Sequence, residues 1–199
     1  MSMTQDNRVV CRQCTSYDPE VLSRLLIDSF HVLEMTETFF RGKRIVIKPN
    51  LVMKAASERA ATTHLIMMKA PDKAATTHPS VVRAVAELVA EAGGKTVIAE
   101  SPGGPYTIAA LHSVYRGCGI EAVASRHGVR LNFDTGFQNL SAPNALTSKN
   151  FDILTPVCEA DILINVCKLK SHSLTKMSGA IKNFFGTVPG LKKFEMHAR

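Results

Sequence analysis

The apolar positions of this chain follow two rhythms. Short, nearly unbroken apolar runs at Arg44 to Ile47, Thr96 to Ala99 and Asp161 to Val166 predict strands buried on both faces. Between them the apolar residues recur with helical spacing. Val21, Leu22, Leu25, Leu26 and Phe30 share one face of a helix predicted from about Pro19 to Phe39, with Asp18 as N-cap and Pro19 in the first turn. His78-Pro79-Ser80 opens a second helix, VVRAVAELVAEAGG, which Gly93-Gly94 closes as a C-cap. A third helix runs to about Arg116, with Gly117 at its end. Arg8 to Cys14 alternates and predicts a first strand. Val129 to Phe133 and Phe151 to Leu154 predict two more short strands. Ser178 to Phe185 predicts a helix start with Ser178 as N-cap. Strands that alternate with helices predict an α/β fold, a mostly parallel sheet with helices on both faces. The pattern places residues 1–199 in a single such domain.

One segment breaks this order. LVMKAASERAATTH at 51–64 is followed at once by LIMMKAPDKAATTH at 65–78, with eight of 14 positions identical. Two copies of this length do not make a solenoid, so the segment reads as a tandem-duplicated loop. A surface loop accepts such an insertion at small entropic cost. Of the two repeated histidines, His64 and His78, the second stands at the helix start.

Composition narrows the picture. The chain has 199 residues, 45% apolar and 21% charged, enough for one domain with a core. The first residues are polar, and no apolar run reaches the roughly 18 residues of a membrane helix. The expectation is a cytoplasmic protein with no membrane partner. Three Tyr and no Trp leave no stacking pattern for nucleic acid, so no nucleic-acid partner is expected. The five cysteines are not expected to form disulfides in that compartment. Cys11 and Cys14 lie in the alternating Arg8–Cys14 run, where in-strand packing is expected; Cys158 and Cys167 read as core thiols. The net charge is +7, and from Lys168 to Arg199 seven Lys/Arg stand against one acid, Glu195. That asymmetry predicts an anionic ligand at this block.

Three predicted strand ends carry polar clusters: Lys48-Pro49-Asn50, Glu100-Ser101-Pro102-Gly103-Gly104, and Lys168-x-Lys170-x-His172. The carboxyl ends of parallel strands share one edge, so these clusters are expected to converge there. Lys48 reads as a contact for a phosphate or carboxylate, and Asn50 as its companion. Ser101, Gly103 and Gly104 are expected to offer backbone N–H groups at a helix start. Dinucleotide and phosphate-loop glycine fingerprints are absent. Lys168, Lys170, Ser178 and Gly179 complete the binding candidates. His172 and Lys182 are the catalytic candidates, with His172 moving protons near neutral pH. His197 follows after the Pro189-Gly190 turn.

The segments RIVIKPN, THPSVVRAVAELVAEAGGK, IAESPGG and ADILINVCKLKSHSLTKMSGAIKNFFGTVPG, from about Val9 onward, together resemble the domain of unknown function 362 family. The resemblance implies an association with iron–sulfur proteins, because members often carry ferredoxin-like 4Fe–4S modules. No such cysteine cluster stands in this chain. Members are usually longer, so the resemblance implies a domain incomplete at its C-terminus. The order His172, Ser178-Gly179-Ala180-x-Lys182, Pro189-Gly190, His197 is also similar to the lactate racemase family and its nickel-pincer nucleotide. That likeness implies Lys182 as the cofactor-attaching lysine, His197 as a metal ligand and His172 as acid/base, though Ala180 replaces a glycine of that pattern. Three functions follow as expectations. The first is binding of a small anionic ligand or metal-containing cofactor at strand ends. The second is an iron–sulfur-associated redox accessory protein that docks an acidic partner. The third is a non-functional truncated fragment.

Overall fold

The three longest helical segments form where capping residues and apolar faces coincide. In the computed structural model, which describes residues 8–52, 76–172 and 175–197, the elements run α1 (Pro19–Val32), α2 (Glu37–Phe40), β1 (Arg44–Pro49), α3 (Pro79–Glu91), β2 (Lys95–Ile98), α4 (Ile108–Gly117), α5 (Ile120–His127), β3 (Arg130–Leu131), β4 (Phe137–Ser141), β5 (Asn150–Leu154), α6 (Thr155–Cys158), β6 (Ile162–Val166), β7 (Lys170–His172), β8 (Lys176–Ser178), α7 (Ala180–Asn183), a 3-10 turn (Phe184–Thr187) and α8 (Lys192–His197). Of the duplicated loop at 51–78, residues 53–75 lie outside the described residues, so the structure does not bear on the duplication.

Four parallel strands form the sheet, in the order β3-β2-β1-β6. This is the predicted α/β architecture. Strands alternate their side chains between two faces. Ile45, Ile47, Ile98, Ile162 and Ile164 turn to the first face, where they pack with Val82, Val85 and Val89 of α3 and with Leu111, Val114 and Tyr115 of α4. Full burial of such a side chain stabilises by about 1.5–3 kcal/mol. Lys48 and Asn165, which pair in register, turn to the second face. There they meet α7 and the 3-10 turn.

The caps explain several boundaries. The Asp18 carboxylate accepts from the backbone N–H groups of Glu20 and Val21. His78 Nδ1 accepts from Ser80 N at 3.2 Å, and the ring stacks on Tyr17 at 3.9 Å. At the end of α3, Gly93 N–H donates to Ala90 O and Gly94 N–H to Val89 O, the paired bonds of a Schellman cap. Gly93 takes φ +77, a conformation that favours glycine. A Cβ at Gly94 would come within 2.6 Å of Ile45 and 2.8 Å of Val89, so glycine also lets α3 close onto β1.

Other boundaries differ from expectation. Arg8 to Cys14 forms no strand, and Cys11 and Cys14 are exposed. Alternation alone had no neighbouring strand to pair with. The first helix stops at Val32, because Glu34 takes φ 58; α2 then starts after Thr36 as a separate turn. α5 and β4 lack a clear signal, since α5 is short and low in overall hydropathy and every residue of β4 is exposed. Gly119, at φ 73, separates α4 from α5. Ser178 does not cap a helix: it is the buried last residue of β8, and Gly179 precedes α7 without a side-chain cap bond. Ser101 to Gly104 does not sit at a helix start either, for α4 begins at Ile108 behind its cap Thr107.

Candidate functional site

Lys48 lies near the carboxyl end of β1, and Glu100 follows the end of β2, the adjacent strand. Their side chains are 0% and 3% exposed and meet at 2.6 Å. Lys48 Nζ also donates to Pro49 O at 2.9 Å and to Asn183 Oδ1 at 3.4 Å. The Asn183 amide donates to Asn165 Oδ1 at 2.7 Å, and Asn165 Nδ2 donates to Ala180 O at 2.8 Å. This chain of bonds ties α7 to the ends of β1 and β6. The 3-10 turn closes over it. A Cβ at Gly186 would collide with Glu100 Oε1 and Lys48 Nζ, so glycine is required for the turn to lie on the ion pair.

The second strand-end loop is fastened to the C-terminal block. Ser101 N–H donates to Gly186 O at 2.9 Å, and Ser101 Oγ accepts from Gly190 N–H at 2.8 Å. Lys193 Nζ donates to Ser101 O, to Ser101 Oγ at 3.1 Å and to Pro102 O at 3.1 Å. The Ser101 N–H therefore bonds protein rather than standing ready for an anion. A Cβ at Gly103 would meet open space, while Gly190 approaches Gly104 O closely.

The third strand end returns as a hairpin. β7 pairs with β8 through Lys170↔Ser178, Ser171↔Met177 and His172↔Lys176. Lys170 Nζ donates to Asn50 Oδ1 at 3.2 Å. Thr77 holds that loop: its hydroxyl accepts from Asn50 N–H at 2.9 Å and donates to Val166 O at 2.8 Å. The three clusters predicted from sequence do converge on one edge of the sheet.

Electrostatics mark this edge. Burial pushes the Glu100 carboxyl pKa up, against the opposing pull of Lys48 and Lys193. Burial pushes Lys170 down to about 8; Glu100 opposes this, while Lys182, Lys168 and Lys48 add to it. Lys193 is likewise lowered to about 8, first by burial, with Glu100 opposing and Lys48 and Lys182 adding. Burial lowers Lys182 as well, and its ammonium lies 4.7 Å from the centre of the Phe185 ring. Glu100 thus interacts with three lysines, Lys48, Lys170 and Lys193, while Lys168 and Lys182 add like charge beside Lys170.

Not every candidate joins this group. His172 Nδ1 accepts from Thr175 N–H at 3.2 Å, a bond within the hairpin turn. Gly179 lies near Leu169. The side chain of His197 lies outside the described residues, so its predicted role as metal ligand is untouched by the structure. Among the described residues no three His, Cys, Asp or Glu side chains gather as a metal site. Sequence reasoning missed Glu100, Asn165, Asn183, Gly186 and Lys193 as site members. The signal for Glu100 lies in its place at the strand end of the Glu100–Gly104 cluster. A groove of about 730 Å³ lies elsewhere, lined by Arg44, Lys95, Thr96, Arg130 and Glu159 among others. Arg44 and Lys95 begin their strands, so the groove reaches the amino ends, and none of the convergent lysines lines it. The carboxyl edge remains the candidate, because open parallel sheets bind ligands there.

Fold and site define an open parallel α/β protein with a polar, lysine-rich strand-end edge. The chain belongs to the family described as Domain of unknown function (DUF362), whose model matches residues 64–199. It is also similar to the thylakoid-associated protein sll1697 of Synechocystis sp. (strain ATCC 27184 / PCC 6803 / Kazusa), 33% identical over 161 residues. That alignment covers 78% of this chain and 42% of the relative, so the chain spans well under half the relative's length. No solved structure matches the chain significantly. The likeness to lactate racemase finds no counterpart in these matches. Among the described residues no helix is long and apolar enough to cross a membrane.

Proposed function

We propose that the strand-end edge binds a small anionic ligand through Lys170 and Lys182, with Lys168 adding charge. The observation that carries this reading is the crowding of Lys182 and Lys168 beside the half-buried Lys170, whose nearby carboxylate, Glu100, is already bonded by Lys48. A lysine placed at a cost in charge repulsion and burial is a common mark of a working site. An anion in contact with these ammonium groups relieves both. Asn50 orients Lys170, and the buried Lys48–Glu100–Asn183 chain holds the edge rigid. His172, in the same hairpin as Lys170, supplies a group able to move a proton near neutral pH. A relative named for association with the thylakoid is compatible with a setting beside a membrane.

The sign of the pH dependence follows from Lys170. Its ammonium is the anion-binding form and is lost as pH rises through about 8. Affinity for an anion is therefore full below that value and falls above it. Titration calorimetry with inorganic phosphate and with pyrophosphate tests the reading. Lys182→Ala and Lys170→Ala should each weaken binding roughly tenfold, as loss of a charged hydrogen bond does. Lys182→Ala should shift stability by less than about 1 kcal/mol. Parent-like binding by both variants would remove these residues from the site.

A further inference from the structure

We infer that the outer face of the β7–β8 hairpin, together with α7 and the 3-10 turn, docks on an anionic lipid surface. The geometry begins with the ribbon. Ser171 and Met177 are paired, so they share one face, and Leu169 lies two residues before Ser171 on that same face. Lys170 and Ser178 occupy the opposite face, where Lys170 reaches Asn50. The ribbon therefore has an inward polar face and an outward apolar one. A Cβ built at Gly179 would lie 3.7 Å from Leu169 Cδ1, so Leu169 lies near the residue that leads directly into α7. Ile181 and Phe184 are three residues apart in that helical stretch and project together.

Leu169, Met177, Ile181 and Phe184 are 73%, 62%, 88% and 45% exposed. Single exposed apolar residues are ordinary, but a connected group of large ones marks a surface that meets something. Charge says what. No acidic residue occurs between Asp161 and Glu195, and six lysines fall in that interval, so the ground around this face is basic, with Lys168, Lys170 and Lys176 set by the alternation on the other side of the thin ribbon and Lys182 next to Ile181 in α7. Apolar side chains that project from a basic surface are what a bilayer interface with anionic headgroups receives, the chains entering the acyl boundary and the lysines staying at the headgroups. A protein partner would favour Tyr, Trp and Arg, and protein interfaces are depleted in Lys. From Lys168 to Lys193 the block has Lys as its sole cation type and no Tyr or Trp. The lack of a spanning helix among the described residues does not bear on surface docking. This inference shares lysines with the proposed ligand site, so its test rests on Met177 and Ile181, which do not belong to that site.

Co-sedimentation of the 199-residue chain with vesicles tests it. One set is phosphatidylcholine alone; the other is phosphatidylcholine mixed with phosphatidylglycerol. The expected result is binding to the mixed vesicles, weakened by added salt. Ile181→Asp should reduce partition roughly tenfold, and Ile181→Asp with Met177→Asp should abolish it. Circular dichroism checks that both variants remain folded, as exposed positions allow. Absence of binding to mixed vesicles at low salt overturns the inference. So does equal binding by the double variant, which would leave charge alone, or equal binding to the neutral vesicles. A concentration-dependent dimer that Ile181→Asp disperses, without vesicle binding, also overturns it and assigns the face to a second copy of the chain.

Discussion

Ile47 and Lys48 are neighbours in β1, and both are fully buried, yet they serve opposite sides of the sheet. Ile47 lies in the apolar cluster with residues of α3 and α4. Lys48 lies under Gly186, bonded to Glu100 and Asn183. The first side is held by non-directional burial, which tolerates exchange of one apolar residue for another of similar volume. The second is held by directional bonds between residues far apart in the chain, and each depends on its partner. A buried ion pair of this kind is weak evidence for stability. Its presence beside a cationic edge suits a role in placing that edge.

Removing one member of the pair should therefore give the largest effect. Glu100→Ala strands Lys48 as a buried charge and is expected to destabilise by about 3–5 kcal/mol, read by denaturant unfolding. The double variant Lys48→Met with Glu100→Leu should recover most of that loss, since two apolar groups replace two charges. If it does not, the pair stabilises in its own right and the contrast between the two sides weakens. Gly186→Ala should cost about 1–3 kcal/mol by pushing the turn off the pair. It should also weaken phosphate binding, which a purely structural turn would leave unchanged. On the apolar side, His78→Ala removes the cap of α3 and the ring stacked on Tyr17 and should cost about 1–2 kcal/mol, seen as a lowered unfolding midpoint with phosphate binding intact.

The apolar side was largely legible. β1, β2, β6, α1 and α3 follow from local signals: unbroken apolar runs, helical spacing, Asp18 and Pro19 at one helix start, and His78 and Gly93-Gly94 around another. Where local signals lacked a partner they misled. The alternation of Arg8 to Cys14 found no strand to pair with, and Ser178 resembled a helix cap but ends a hairpin. The candidate site was legible in outline. The rule that parallel strands share a carboxyl edge brought Lys48, Ser101 and Lys170 to one place.

Local pattern by itself determined the alternation of strand and helix, the parallel sheet, the first-face core and the concentration of lysine near the C-terminus. These depend on spacing within a few residues, which the chain carries openly. Only tertiary structure decided that Lys48 is an internal partner of Glu100 rather than a solvated hand for a ligand. It also made Asn165, Asn183, Gly186 and Lys193 members of the edge, and turned Leu169, Met177 and Ile181 outward. Those assignments rest on contacts between segments distant in the chain, and whether a polar side chain is paired or an apolar one covered depends on which distant segment arrives beside it.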